Sequence, residues 1–428
     1  MDSYRGDRTR GTLRARLPRI GQKLLRVPAV PRVDSGSLVI LGASLCLVGL
    51  GLLMVLSATS ITSFDGTSGS SFSIFARQAL FAAIGIIILT VTALIPAQIW
   101  SRLAGPMIIA GLVLLSLPLV PGLGITVNGS TNWVHVGGFQ LQPSEVFKPV
   151  LALWLGVALA RRSQRLHRPK DLFFAVVPVS AFAFGFILLG GDLGTTLVLM
   201  LMTLVALFIA GVPKRYFAAT LGVIAVGVTI LVATSPYRMA RVRAMFADTE
   251  ALSDVEALGQ HWQSNHGLFA LASGGFTGTG LGASREKWFW LAEAHNDYIF
   301  AIIGEELGLL GTLTVVCLFG LLGVGLIRTS LKSRDLKTKV LCVTVFVWIL
   351  GQAFINMGVV TTLLPVIGVP LPLISYGGSS LVSTLIGIGL VISFARADRA
   401  GRDRDRDHDQ EDAEAVSSNR ADTPSAHR

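Results

Sequence analysis

The sequence predicts an all-α polytopic membrane protein with ten transmembrane helices. Charged residues make up only 14% of the 428 residues, the mean hydropathy is +0.64, and apolar runs long enough to cross about 30 Å of hydrocarbon recur along the chain. Soluble domains carry about 25% charged residues, so a soluble fold is excluded. Cys46, Cys317 and Cys342 all fall within apolar runs, so neither a disulfide framework nor a zinc site is indicated.

Ten apolar runs have the length of a membrane-crossing helix, which is about 17 residues or more. They are Leu38–Ser57, Ser73–Ile95, Leu103–Val120, Ser144–Ala160, Leu172–Leu189, Leu193–Val212, Phe217–Ala233, Asp297–Ile327, Val340–Thr362 and Ser375–Phe394.

The distribution of Lys and Arg orients these spans, because cytoplasmic connections carry the excess of positive charge. The connections "RRSQRLHRPK", "PKR" and "RTSLKSRDLKTK" are strongly basic. They alternate with the segments Ala58–Ala76, Pro121–Phe147 and Leu363–Ile374, which contain no Lys or Arg. The basic connections are therefore expected inside the cell and the uncharged segments outside.

Both ends of the chain are expected in the cytoplasm. Residues 1–35 carry nine Lys/Arg and precede the first apolar run, so they are interpreted as a basic cytoplasmic tail. Residues 36–396 form the ten-helix domain. Residues 397–428 have mixed charge and few apolar side chains, which predicts a disordered cytoplasmic tail.

One long connection departs from the charge pattern. Residues 235–296 form a large extracytoplasmic loop between helices 7 and 8, and this loop is basic. Its cations are Arg238, Arg241, Arg243, Arg285 and Lys287. A loop of this length is translocated despite its charge; the alternative is that the cations face an anionic ligand such as a lipid-linked phosphate.

The same loop contains the glycine-rich sequence "SGGFTGTGLG", residues 273–282. Its backbone amides could cradle a diphosphate, or the run could be a plain surface loop. It is not a dinucleotide-binding fingerprint, because no strand–helix unit surrounds it.

Acidic residues in or beside apolar runs are more informative, because a charge in a bilayer costs at least a few kcal/mol. Glu145 and Lys148 lie three residues apart at the start of the fourth run, which favours mutual pairing. Asp192 lies between two runs, where an N-cap role is the alternative to a functional one. For Glu305 and Glu306, inside the eighth run, proton relay, cation binding and structural hydrogen bonding all stay open.

Asp297 stands at the outer boundary of the eighth run, directly after the basic loop. A carboxylate at such a boundary is partly desolvated and is able to act as a general base. The alternative is an acid at the N-terminus of a helix, stabilised by the helix dipole.

The sequence "LLPVIGVPLPLISYGGSS", residues 363–380, interrupts an apolar region with three prolines and a glycine pair. This composition predicts broken backbone at membrane depth, which is tolerated only where it is buried in protein or lines a cavity. A re-entrant segment that walls an outward-facing cavity is expected.

Taken in order, these elements resemble the SEDS family of bacterial shape, elongation, division and sporulation proteins, over roughly Gly36–Arg396. The motifs that carry the resemblance are "NGSTNW…QPSEVFKP", "GDLGTT", "SGGFTGTGLGASREKW", "EAHNDYIFAIIGEELG", "QAFINMGVV" and "GVPLPLISYGGSS". The "AHND" and "IIGEELGLLG" sequences look more like the division branch, FtsW, than the elongation branch, RodA.

The resemblance implies a peptidoglycan glycosyltransferase that polymerises lipid II at the outer face of the bacterial cytoplasmic membrane, at the division septum. Flipping of lipid II across the membrane is the alternative function. The expected partners are a class B penicillin-binding protein, which crosslinks the strands, and other division proteins; nucleic acid is not expected.

The resemblance also implies that Asp297 is the catalytic carboxylate, either as a base or as the ligand of a divalent cation, Mg²⁺ or Mn²⁺. Arg243, Arg285 or Lys287 is expected to stabilise the departing diphosphate. The residues expected to bind substrate are Arg238, Arg241, Arg243, Gln263, Ser273, Gly274, Lys287, His295, Glu145, Lys148, Asp192, Ser375 and Ser379.

Four positions depart from the family's usual pattern. Gly190 and Gly191 stand where Gln-Pro is usual, Asn132 stands where an arginine is common, and His266 stands where a glutamine is usual. These differences concern the lining of the groove.

Overall fold

The structure is a computed structural model that describes residues 35–59, 72–127, 130–136, 139–235, 239–240, 242, 255–288, 290–291 and 293–421. Over these ranges the chain is mainly helical, in agreement with the predicted class. The helices are α1 (Ser35–Thr59), α2 (Ser73–Leu94), α3 (Ala97–Ser116), α4 (Pro143–Arg161), α5 (Pro169–Leu189), α6 (Leu193–Ile209), α7 (Lys214–Ala233), α8 (Val255–Ser273), α9 (Ile299–Lys332), α10 (Leu336–Val360) and α11 (Gly378–Ala421).

Nine helices within the described ranges are long and apolar enough to cross a membrane. The apolar helix α6 has only 17 residues and is shorter than these. The predicted loop 235–296 is not all loop, because it contains helix α8.

Helix α10 lies at the centre of the bundle and contacts α4, α6, α9 and α11. On one side α1 packs along α9, and on the other α2 packs along α11. Helix α7 packs against α6 and buries none of its residues. The buried faces of α4, α10 and α11 thus form the core, while α7 presents an apolar surface suited to lipid.

The expectation of an all-α fold is wrong for the segment before α4. Three short antiparallel strands form a sheet there in the order β1 (Gly124–Val127), β2 (Ser130–Val136) and β3 (Phe139–Leu141). The pairs Ile125–Trp133 and Val134–Leu141 fix its register. The sequence signal is the set of alternating β-branched residues separated by Asn-Gly and Gly-Gly, which favour hairpins.

The C-terminal tail also differs from its prediction. Helix α11 runs on to Ala421, whereas disorder is expected from residue 397. At the start of this tail the charges are spaced to support a helix: Arg399 lies 3.6 Å from Asp403, and Arg402 lies 3.5 Å from Asp398, both as i,i+4 pairs. Such pairs each stabilise a helix by a few tenths of a kcal/mol.

Candidate active site

Helix α9 is interrupted at Gly308, whose φ of 66° and ψ of −160° are not helical. The interruption frees backbone groups on both sides, and the glycine-rich run binds them. The amides of Thr279 and Gly280 donate to the carbonyls of Glu305 and Glu306 at 2.9 and 3.1 Å. The sequence predicts one continuous span over Asp297–Ile327, and this prediction is wrong at Gly308, where the helix is interrupted.

The amides on the far side of the break are bound as well. Leu309 N donates to Gly275 O at 3.0 Å, and Leu310 N donates to Phe276 O at 3.3 Å. The glycine run is therefore not a plain surface loop. The amide of Thr279 is already bonded to Glu305, so it is not free to bind a diphosphate. The run replaces the missing turn of α9.

Glycine is required where the two backbones meet. Gly278 has φ +83°, and a Cβ there would overlap the carbonyl of Glu306. Gly308 has φ +66°, and a Cβ there would overlap the amide of Gly278. Each position combines a left-handed backbone with a close approach that no other residue permits.

Glu306 forms a buried ion pair with Lys287. The Lys287 Nζ lies 2.8 Å from Glu306 Oε1, and the two side chains are 2% and 0% exposed. Ser57 of α1 donates to Glu306 at 2.7 Å, and Lys287 also donates to Gly282 O at 2.8 Å. The charge of Lys287 is therefore neutralised inside the bundle, and its expected contact with an anionic substrate stays a prediction.

Glu305, the residue before Glu306 in α9, binds the same loop. Ser284 Oγ donates to Glu305 Oε2 at 2.5 Å, and the amide of Arg285 donates to Oε1 at 2.7 Å. The side chain of Arg285 is exposed, and no ion pair to it occurs in the part of the chain that the structure describes. Of the three alternatives for this pair of acids, structural bonding is the one seen.

Asp297 is half-buried in the turn that leads into α9. Its backbone carbonyl accepts a hydrogen bond of 2.7 Å from Asn356 Nδ2 of α10, which also donates to Val369 O at 2.8 Å. Its Oδ2 lies over Gly368, where an added Cβ would sit 3.4 Å away. One amide of α10 thus fixes both Asp297 and the broken segment.

The two residues before Asp297 are held in the same way. Ser375 Oγ donates to Asn296 O at 2.7 Å, and Tyr376 N donates to His295 O at 3.0 Å. Leu371 N donates in turn to Ser375 Oγ at 2.8 Å. The carbonyls of three consecutive residues are therefore bonded by α10 and the segment that follows it.

His295 lies beside Tyr376, with ring centroids 5.6 Å apart. Burial lowers the pKa of His295, and the Glu293 carboxylate opposes this shift. Because its ordinary value is already near 6.5, a lowered pKa leaves the imidazole neutral at pH 7, able to donate and accept but without charge.

The broken segment, residues 361–377, lies between α10 and α11 as predicted, and helix α11 begins at Gly378 rather than at the predicted Ser375. Gln352 Nε2 donates to Pro370 O at 2.9 Å. Gln78 of α2 donates to Ser375 O and accepts from Gly377 N, both at 3.2 Å. Side-chain amides of two helices thus satisfy backbone that the membrane could not.

Glu145 and Lys148 pair as the sequence predicts. Lys148 Nζ lies 2.6 Å from Glu145 Oε1, both side chains are buried, and Lys148 also donates to Gln352 Oε1 at 3.0 Å. The pair therefore positions Gln352, which in turn donates to the carbonyl of Pro370. Within the described residues, Glu145 Oε2 has no hydrogen-bond partner.

Asp192 is the N-cap of α6. Its Oδ1 accepts from Thr195 N at 2.8 Å and its Oδ2 from Thr195 Oγ1 at 2.6 Å. Gln142 Nε2 donates to Oδ2 at 3.3 Å, which joins the end of the sheet to this helix. The capping alternative is confirmed.

Two positions that depart from the family pattern touch each other. Thr131 N donates to Gly190 O at 2.9 Å. With its amide nitrogen towards the carbonyls, Asn132 donates to Gly190 O and Thr131 O, each at 3.2 Å. A Cβ at Gly190 would overlap the Asn132 side chain. The missing side chain at 190 makes room for the amide at 132.

The remaining predicted residues are spread over several elements. Gln263 is half-buried on α8, Ser379 is half-buried in the first turn of α11, and Ser273 is exposed at the end of α8. Gly274 is buried against the backbone of Gly304. Arg238, Arg241 and Arg243 lie outside the described residues.

Sequence reasoning missed the amides Gln78, Gln352 and Asn356. Their signal was present, because an isolated Gln or Asn inside an apolar helix needs a buried partner.

The described residues hold no group of three or more His, Cys, Asp or Glu side chains in position to bind a metal ion.

A bundle of apolar helices with an interrupted helix, and with an interrupted connection that holds the backbone of Asp297, defines a multi-pass membrane protein with a polar site built on broken backbone. The chain belongs to the FtsW/RodA/SpoVE family, whose model, described as "Cell cycle protein", matches residues 37–400.

Its curated relatives match over most of their length. A probable peptidoglycan glycosyltransferase FtsW of Halorhodospira halophila is 40% identical over 362 residues, covering 82% of this chain and 90% of the relative. The protein of the same name in Mycobacterium tuberculosis is 38% identical, covering 85% and 70%. Stage V sporulation protein E of Bacillus subtilis is 35% identical, covering 85% and 98%.

Solved structures share the fold. A chain of a peptidoglycan synthase complex, studied for its coordination of polymerization and crosslinking, matches with a TM-score of 0.67 at 27% identity, covering 85% of this chain and 98% of that one. The rod shape determining protein RodA of Thermus thermophilus matches with a TM-score of 0.61 at 26% identity, covering 87% and 99%.

Removing one partner of the Glu306–Lys287 pair is expected to destabilise the bundle by about 3–5 kcal/mol, because it leaves a buried charge alone. Thermal unfolding of Lys287→Ala in detergent measures this loss. The matched control is Arg399→Ala, whose 3.6 Å pair with Asp403 is partly exposed and worth at most about 1 kcal/mol. Equal shifts for the two variants would contradict the assignment.

The contact between the glycine run and the break in α9 is tested by Gly278→Ala against Gly275→Ala. Both glycines have positive φ, but an added Cβ meets open space at Gly275 and the Glu306 carbonyl at Gly278. Gly275→Ala is expected to cost only the about 1–2 kcal/mol of a left-handed backbone, and Gly278→Ala clearly more. The melting temperatures of the two variants decide this; a smaller loss at Gly278 would refute the contact.

Proposed function

We propose that this chain is a peptidoglycan glycosyltransferase that polymerises lipid II into glycan strands during septal cell-wall synthesis. The observation that carries the proposal is the half-buried Asp297, whose backbone is held by hydrogen bonds, in a chain whose curated relatives are named peptidoglycan glycosyltransferases. Its backbone is anchored at three consecutive carbonyls. Such rigidity favours catalysis, because reacting groups must be held in attack geometry.

The reaction joins a sugar hydroxyl of the acceptor to the anomeric carbon of the donor. The new C–O bond forms as the bond to the lipid diphosphate breaks, and the hydroxyl proton must leave. In this proposal Asp297 accepts this proton. A cation has to stabilise the departing diphosphate, and Arg285 is the exposed candidate among the described residues. Arg238, Arg241 and Arg243 are further candidates.

A divalent cation, Mg²⁺ or Mn²⁺, is compatible with this site. Mg²⁺ is commonly held by one or two carboxylates together with substrate phosphates, so Asp297 alone would hold it against the diphosphate. When bound, the ion would neutralise the charge that develops on the leaving group. Asp297 is then a metal ligand rather than the base.

We propose that the Asp297 end of the bundle faces outward. The sheet and the broken segment meet at this end, since Gln142 binds Asp192 and Gly194 abuts Ile367. Residues 121–147 and 363–374 carry no Lys or Arg, whereas the connections at the other end are basic. The positive-inside rule therefore supports an outward site, cytoplasmic tails at both ends and residence in the cytoplasmic membrane.

The same orientation makes α6 the tenth span. Its 17 residues rise only about 26 Å, and the residues capping its two ends supply the rest of the hydrocarbon thickness. The number of spans is then even, as two cytoplasmic termini require.

A crosslinking transpeptidase, a class B penicillin-binding protein, is the proposed partner, in association with other division proteins. The support is the likeness to a chain of a synthase complex that coordinates polymerization with crosslinking. Transport of lipid II loses its main support, because Glu305 and Glu306, the acids that would suit ion coupling, are both engaged in anchoring the loop.

Asp297→Asn is expected to lower glycan polymerisation by a factor of about 10²–10⁴, the usual contribution of a general acid or base, with little change in melting temperature. The measurement is the glycan ladder formed from lipid II by the purified protein with its transpeptidase partner. Glu293→Gln, a change at an exposed acid four residues away, serves as the control and retains activity. Normal ladders from Asp297→Asn would refute the assignment; labelled lipid II crossing vesicles without any ladder from wild type would favour transport.

Removal of divalent ions separates the two roles of Asp297. If the carboxylate holds a cation, EDTA is expected to abolish ladders, and Mg²⁺ or Mn²⁺ to restore them in wild type but not in Asp297→Asn. Full activity in EDTA would leave Asp297 as the base and exclude the metal role.

A further inference from the structure

A cavity of about 660 Å³ lies at the opposite end of the bundle from Asp297. Three elements meet around it: the start of α3, the connection between α9 and α10, and α11 where its sequence changes from apolar to charged. The residues that line it include Ala97, Arg102, Arg334, Lys337, Phe394 and Arg402. No step of the proposed reaction uses this cavity.

Four cations and three carboxylates line the cavity. Both oxygens of one carboxylate, Asp398, already have partners. Asp398, only 6% exposed, accepts from Arg334 N at 3.2 Å and from Asp335 N at 3.1 Å. Its other oxygen faces Arg402 at 3.5 Å. The two amide hydrogen bonds hold α11 against the connection between α9 and α10, and so define one wall of the cavity.

The other two carboxylates hold their cations loosely. Arg334 and Asp405 lie 3.7 Å apart, with side chains 74% and 67% exposed. Lys337 and Asp335 lie 3.8 Å apart, 37% and 41% exposed. Exposed pairs at such distances contribute little, so both cations are available to a stronger anion.

Arg102 adds a fourth positive charge. It is exposed at the first turns of α3, and within the described ranges no ion pair to it occurs. A phosphate in the cavity would meet guanidinium groups that bind it in a bidentate fashion, with Lys337 as an additional point charge.

The cavity also has an apolar wall, formed by Ala97, Phe394 and Ala397. This wall lies where the apolar part of α11 ends, which is the level of the membrane–water boundary. A phosphodiester joined to acyl chains matches both features, since basic pockets between transmembrane helices on the cytoplasmic side suit anionic headgroups. A free phosphate would match only the cations.

We propose that this cavity binds the headgroup of an anionic phospholipid, with Arg102, Arg334 and Lys337 around the phosphate and the acyl chains along the apolar wall.

Native mass spectrometry of the full-length protein tests the proposal. The purified protein is titrated with phosphatidylglycerol and with phosphatidylcholine of the same acyl chains. Wild type is expected to retain phosphatidylglycerol in preference. The double variant Arg102→Gln/Lys337→Gln is expected to lose about 30-fold in affinity, because each cation near an anionic headgroup is worth about 1 kcal/mol and 1.4 kcal/mol is tenfold.

The matched control is Arg168→Gln/Lys214→Gln, which removes two exposed cations at the same end of the bundle but outside the cavity. It is expected to bind like wild type. The charge-preserving variant Arg102→Lys/Lys337→Arg is expected to keep most of the binding, which separates lost charge from lost folding.

Three results would overturn the proposal. The first is equal retention of the two lipids, and the second is an equal loss in the cavity variant and the matched control. The third is displacement of the bound lipid by millimolar inorganic phosphate together with equal thermal stabilisation by phosphate alone, which would assign the cavity to a soluble phosphate.

Discussion

Backbone that leaves helical geometry inside a membrane must find every hydrogen bond within the protein, because hydrocarbon offers none. The chain meets this constraint twice. At Gly308 a glycine run replaces the missing turn of α9, and between α10 and α11 side-chain amides bind the broken segment. The second of these also binds the turn that carries Asp297, at the carbonyls of residues 295–297.

Burial determines which charged residues of the bundle are paired within it. Glu305, Glu306 and Lys287 are engaged inside the bundle, where an unpaired charge would be costly. Asp297 differs, because the hydrogen bond from Asn356 is to its backbone carbonyl. The buried charges thus keep the loop in place, and the carboxylate that we propose as catalytic lies at the end of the bundle.

Hydropathy and the positions of Lys and Arg predict most of the bundle, and the prolines at 365, 370 and 372 predict the broken segment. The Glu145–Lys148 pair and the Asp192 cap could also be predicted, because both contacts are local in sequence. The partners of Glu306 could not, since Ser57 and Lys287 lie far from it along the chain. Periodicity also conceals the break at Gly308, because apolar residues continue on both sides of it.

The contact between Gly190 and Asn132 links two segments that are distant in sequence. A side chain at 190 has no room while Asn132 occupies that space, and Asn132 would lose the Gly190 carbonyl if the connection moved away. The fitness of a substitution at either position therefore depends on the residue at the other. Over evolutionary time the two sites are expected to change as a pair, and an exchange of segments between homologues would succeed only when it carries both.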